Sequence, residues 1–247
     1  MSVSQPAGAI RTIGTGSFGD QVFAPGQNTV YVSSGGAIES YDIATGQKLA
    51  SWAVGTVLGG IDISNDGRYI VAPEWVAGTN VQEGGVAKTP FYVHLLDVQT
   101  GTVTTFISLR DANLNNLYYF KDAAFLANGK ILLTRNGAFD SQPLTVLDPA
   151  TSAFTAIAPS LTNAVIAARA DGEEVLITGG NSTYIYDQNG TIQATTAGGS
   201  EEIPVLAISN DGKRLVIGGN LALDEQGKFI TYFAGSPLLP TGAVFSP

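Results

Sequence analysis

A chain of 247 residues with 44% hydrophobic and only 13% charged residues can bury a substantial core, which excludes intrinsic disorder. Its formal net charge is −9, from 21 Asp and Glu against 12 Lys and Arg, so no basic stripe is present to meet the phosphates of a nucleic acid. Cysteine is absent, which excludes disulfides and thiolate metal sites.

No window approaches the ~18 apolar residues of a membrane-spanning helix. The opening MSVSQPAGAIRTIG lacks the basic-then-apolar pattern of a secretion signal. With 30 Gly and 11 Pro spread along the chain, many short strands joined by tight turns are expected. Residues 9–14 have the pattern of a strand and residues 16–19 that of a loop. A unit then begins with VFAP at 22–25, turns at Gly26, and continues through TVYVS, IESYDI and QKLASWAV.

The same order returns four times. The second unit runs IDIS, NDG, RYIVAP, then an insertion over 74–90, then FYVHLLDV and TVTTFISL. A second insertion covers 110–121. The third unit gives DAAFLANGKILLTRN and PLTVLDPATSAFTAIA. The fourth gives VIAARADGEEVLITGG and TYIYDQNGTIQATT. The fifth gives LAISNDGKRLVIGG and LALDEQGKFITYF. Each unit has a glycine in its first turn (Gly26, Gly67, Gly129, Gly172, Gly212) and an aspartate beside a later one (Asp42, Asp97, Asp148, Asp187, Asp224). From Gly172 to Gly212 the step is 40 residues. A period of about 40 with four strands per unit predicts an all-β fold, a β-propeller of four-stranded antiparallel blades, about five in number. The blades fall near 20–56, 57–110, 120–160, 161–198 and 202–236, in one domain over 1–247. Strands at 9–14 and 242–247 would belong to one incomplete closing blade, the pattern of a ring cut short or of the N-terminal part of a longer protein.

The stretch VYVSSGGAIESYDIATGQKLASWAVGTVLGGIDISNDGRYIVA resembles the YVTN-type propeller repeat, within the lactonase-like and quinoprotein-like propellers. The features that carry it are Tyr31-Val32, the turn from Asp42 to Gly46, and the turn from Ser64 to Gly67, with Asn65 where the repeat usually has Pro. Residues 148–152 lack the glycine of the Asp-x-x-Thr-Gly turn. The resemblance implies a propeller and a setting among secreted or cell-surface bacterial proteins, although the chain shows no signal peptide and a cytoplasmic location stays open.

Several residue patterns bear on chemistry. Residues 14–19 match G-x-G-x-x-G, but strand-like sequence and a Pro follow where dinucleotide binding needs a helix, so this is a loop. His94, the one histidine, has no G-x-S-x-G nucleophile and no second imidazole, and is expected as a partly exposed strand residue. Asp66 and Asp211 form turns and lie in no calcium loop. Asp62, Glu201 and Glu202 sit at the starts of inner strands, where a central channel would open, and are the candidate functional acids. Counting from the turn glycines puts Ala124, Ala167 and Ala207 at the positions equivalent to Asp62, a poor ligand set. Trp75 in the first insertion, and Tyr118, Tyr119 and Phe120 beside three asparagines in the second, are candidate loop contacts for a protein or carbohydrate surface. The composite expectation is a non-catalytic recognition or scaffold module with no cofactor, no metal and no catalytic residue. The alternative is a lactonase-like metal-dependent hydrolase using the channel acids.

Overall fold

The computed structural model describes residues 18–111, 119–136, 142–161, 164–169, 171–179, 182–187, 192–197, 206–208, 214–217, 221–224 and 229–232. These residues form 21 strands and no helix. Blade I contains β1 (Phe18–Phe23), β2 (Thr29–Ser34), β3 (Ala37–Asp42) and β4 (Lys48–Ala53). Blade II contains β5 (Asp62–Ile63), β6 (Tyr69–Pro73), β7 (Val81–Glu83), β8 (Val86–Asp97) and β9 (Thr102–Asp111). Blade III contains β10 (Phe120–Phe125), β11 (Ile131–Arg135), β12 (Gln142–Asp148) and β13 (Ala153–Leu161). Blade IV contains β14 (Val165–Ala168), β15 (Glu174–Gly179), β16 (Ser182–Asp187) and β17 (Ile192–Ala197). Blade V contains β18 (Leu206–Ile208), β19 (Arg214–Ile217), β20 (Leu221–Asp224) and β21 (Phe229–Tyr232).

Every sheet is an antiparallel meander in chain order, apart from the β7 arm of blade II. The innermost strands β1, β5, β10, β14 and β18 meet one another in succession, which sets the sheets side by side like sectors. Apolar side chains fill the spaces between sheets. Tyr31, Ile38 and Trp52 of blade I meet Ile70, Ala72 and Leu96 of blade II. Phe91, Val93 and Phe106 of blade II meet Ile131, Leu133 and Leu147 of blade III. Leu132, Leu144 and Leu161 of blade III meet Val175, Ile177 and Tyr186 of blade IV. Second strands are therefore covered on both faces. This is why ILL at 131–133 reads as an unbroken apolar run and is fully buried.

The two recurring turns behave as their residues dictate. Gly26, Gly67, Gly129 and Gly172 all take positive φ, the conformation a first-turn glycine is needed for. In the later turn the aspartate accepts main-chain N–H groups ahead of it, as Asp42 Oδ1 does from Thr45 at 2.6 Å and Asp97 Oδ1 from Gln99 at 2.9 Å. Where the third unit lacks the glycine, Ser152 holds the position at φ 59°, the one non-glycine with positive φ among the described residues. Ser152→Gly is accordingly expected to raise stability by about 0.5–1 kcal/mol, the left-handed penalty less the added freedom of the unfolded chain. Equilibrium urea unfolding would show it as a higher midpoint with an unchanged slope.

Three local expectations are corrected. The first strand begins at Phe18, not Val22, so Gly19 lies inside β1 rather than in a loop. A Cβ there would stand 2.6 Å from Ser33 Oγ, which accounts for the glycine by close packing instead of turn geometry. The insertion over 74–90 is largely a hairpin, β7 against the start of β8, turned at Gly84-Gly85. The second insertion gives its first residues to β9 and its last to β10, while 112–118 lie outside the described residues. The expected closing strands at 9–14 and 242–247 also lie outside them.

Candidate functional site

Three aspartates on successive inner strands organise the centre. Asp20 on β1 accepts the Ile61 N–H of blade II at 2.9 Å. Asp62 on β5 accepts the Phe125 N–H of blade III at 2.7 Å. Asp122 on β10 accepts the Ile166 N–H of blade IV at 2.9 Å, and the Ala123 N–H at its other oxygen. Each carboxylate thus reaches forward and ties its own blade to the next. The chain is a β-propeller.

The electrostatics follow from that placement. All three groups are half-buried by surface area yet hemmed in by protein, the situation of a side chain on the wall of a narrow channel. Desolvation raises the pKa of Asp62 and Asp122 to about 7 against the help of their N–H donors; the Asp20 charge raises both further, and the Asp122 charge adds to the shift at Asp62. Asp20 is shifted upward for the same first reason. Lys121, its own pKa lowered by burial, partly offsets the shift at Asp122. The fit is close on the blade II side as well. The Gly60 N–H donates to Lys121 O at 2.9 Å, and a Cβ on Gly60 would fall 2.1 Å from Asp122 Oδ1.

Asp62 was expected from the sequence; Asp20 and Asp122 were not, and the alanine assigned to blade III is corrected. One extra residue bulges out of β1 between Phe18 and Gln21, and another out of β10 between Phe120 and Asp122. Asp122, however, stands seven positions before Gly129 while Asp62 stands five before Gly67, because β10 is paired one two-residue repeat further from its turn; counting back five therefore lands on Ala124, the next residue on the same face. Glu201 and Glu202, with Ala207's side chain and Asp211, lie outside what is described. Each of the three carboxylates accepts a main-chain N–H group, Asp122 through both oxygens. Among the described residues no cluster of three or more His, Cys, Asp or Glu is placed to hold a metal ion.

His94 is buried in β8, not partly exposed, because the loop carrying Glu74 folds over it. Its Nδ1 lies 2.9 Å from Thr105 Oγ1 and its Nε2 lies 3.6 Å from Glu74 Oε1. Burial lowers its pKa while Glu74 opposes the shift. Glu74 in turn accepts the Thr56 N–H at 2.5 Å, so the pair fastens the blade I–II connection onto β8.

The aromatic candidates divide. Phe120 is corrected from loop to core: it is fully buried in β10, stacked on Phe154 at 5.7 Å, with the Arg135 guanidinium 4.2 Å from its ring centre. Tyr119 is partly buried against Phe91 at 6.3 Å. Tyr118 lies outside the described residues. Trp75 is 46% exposed, its main chain bonded to Val57 at 2.8 Å.

Trp75 belongs to a larger surface that the sequence did not suggest. β8 has 12 residues and β9 has 10, whereas β3 and β4 of blade I have six each, so the outer half of blade II overhangs its neighbour. Register puts Ile107 opposite Tyr92, Leu109 opposite Pro90 and Val81 opposite Lys88. Ile107, Leu109, Val81 and Val86 therefore share the face turned toward blade I, where no strand covers them. With Val57 and Trp75 they make up six of the eight large hydrophobic side chains exposed among the described residues.

No protein-family model matches the sequence, and no curated protein is significantly similar to it. Solved structures do resemble it. Hydrazine synthase of Kuenenia stuttgartiensis superposes with a TM-score of 0.58 at 16% identity, over 80% of this chain and 67% of that one. A functionally unknown protein from Desulfotomaculum acetoxidans superposes with a TM-score of 0.52 at 13% identity, over 89% of this chain and 86% of that one. At such identities the likeness is one of fold.

Proposed function

We propose that this chain is a non-catalytic recognition module, a propeller of the YVTN-like kind, that docks a protein partner on the overhang of blade II. The observation that carries the reading is the concentration there of six exposed large hydrophobics on one uncovered sheet face and its adjoining loop. Scattered apolar residues are ordinary on a protein surface, but a contiguous set is the usual mark of an interface. The face is mainly aliphatic, which suits a protein surface; a sugar would call for aromatic platforms paired with amides and hydroxyls. The acidic, lysine-poor, cysteine-free composition supports a setting at the outside of a bacterial cell. A channel-acid hydrolase has less support, because Asp62 and its described neighbours Asp20 and Asp122 each accept main-chain N–H groups.

The test compares immobilised wild-type protein with the Ile107→Lys/Leu109→Glu variant and with Leu49→Lys on blade I, itself an exposed position. A partner recovered by cross-linking is expected to lose roughly tenfold or more in affinity for the blade II variant and to keep its affinity for the blade I variant. Equal binding to all three proteins would contradict the proposal.

A further inference from the structure

On the turn face, away from the overhang, a cleft of about 720 Å³ opens between blades II and III and reaches the first turn of blade IV. Radial sheets diverge outward, and the outer positions here are Thr104 and Ala150, too small to close the wedge. Leu95, Phe106, Phe125 and Leu126 form an apolar floor. The volume and lining are those of a small-molecule site.

Two kinds of charge border it, and they differ in how far they are committed. Arg169 is consumed: it pairs with Asp171 at 2.5 Å, with Glu173 at 2.6 Å and with Glu174 at 3.4 Å, leaving its guanidinium little capacity for an anion. Asp66 is half free. Its Oδ1 accepts both the Ser64 hydroxyl at 2.5 Å and the Arg68 N–H at 3.0 Å, and its Oδ2 has no partner among the described residues. Those same bonds lower its pKa, so it stays ionised at neutral pH. The cleft thus presents an aromatic and aliphatic floor with one uncommitted carboxylate oxygen at its edge.

We propose that this cleft binds a small aromatic amine, its ring on the Phe106–Phe125 floor and its ammonium group at Asp66. The neutralised Arg169 makes the site unsuited to the corresponding acids, and the apolar floor makes it unsuited to sugars or free phosphate. The site is independent of the blade II overhang, so neither proposal stands or falls with the other.

Isothermal titration with tryptamine, indole-3-acetate and 3-methylindole separates ring from charge. Tryptamine is expected to bind at least tenfold more tightly than indole-3-acetate. Asp66→Asn keeps the turn's hydrogen-bond acceptor while removing the charge, and should bring tryptamine down to the affinity of 3-methylindole. Thr104→Arg, at an exposed position, fills the wedge and should abolish binding of all three. Glu83→Gln removes one charge from the distant hairpin and should change nothing, which separates a local carboxylate from the overall acidity. Absence of tryptamine binding, equal binding of the acid, or binding that survives Thr104→Arg would each overturn the proposal.

Discussion

Stability is expected to fall as pH rises from 5 to 8. Asp62 and Asp122 have folded pKa values of about 7 against 3.8 as the ordinary value, so between these limits the folded chain holds protons that the unfolded chain has released. Their contribution is complete below the unfolded value and disappears as pH rises through the folded one. Two such groups would lose more than 5 kcal/mol over this interval at full shift; with channel water screening them, about 3 kcal/mol is expected. His94 works in the opposite sense. Its lowered pKa favours the neutral imidazole, whose contribution is present above its ordinary value of 6.5 and declines below it. The carboxylates held low by partners, Glu39, Asp42, Asp66, Asp97 and Asp171, lose their contribution only as pH falls below about 4. The optimum therefore lies near pH 5. Asp62→Asn retains an acceptor for the Phe125 N–H without the buried charge. It should raise stability at pH 8 by about 1–3 kcal/mol and flatten the profile, whereas Asp62→Ala should lower stability by leaving that N–H unpaired. Denaturant midpoints of the three proteins at pH 5 and pH 8 would check this.

The second large effect concerns the joint between blades II and III. Gly60→Ala places a methyl group 2.1 Å from Asp122 Oδ1, an oxygen already fixed by the Ala123 N–H. Either the carboxylate leaves its donors or the inner strands part, and the loss should be about 3 kcal/mol. Asp122→Ala removes the obstructing group at the expense of the Ile166 N–H bond. The double variant should therefore be destabilised by clearly less than the sum of the two single variants. Strict additivity, within about 0.5 kcal/mol, would place the strain of Gly60→Ala somewhere other than Asp122.

What could be read from the residues alone depended on whether a feature is local. The turns at Gly67 and Asp97 are set by neighbours within five positions, so their spacing alone reveals the repeating four-stranded unit. Asp62 was legible for the same reason, since it lies only five positions before Gly67. Asp20 was hidden by the bulge it stands in, and Asp122 by the greater paired length of β10, which sets it seven positions before Gly129 instead of five. Phe120 looked like a loop aromatic because asparagines precede it, yet burial is decided by Phe154 and Arg135, which lie 34 and 15 positions away in the chain. The blade II overhang depends on comparing strand lengths in adjacent sheets. The wedge beside Thr104 depends on side chains of three blades meeting. Neither pairing leaves a periodic trace.

The most direct measurement is a carbon-13 titration of the aspartate carboxyl groups, read together with the amide protons of Phe125 and Ile166. If inner-strand aspartates bind each blade to its neighbour from a desolvated channel wall, Asp62 and Asp122 titrate with apparent midpoints near 7 and the two amides shift in step with them. Midpoints at or below about 4, with both amides unmoved, would contradict the account.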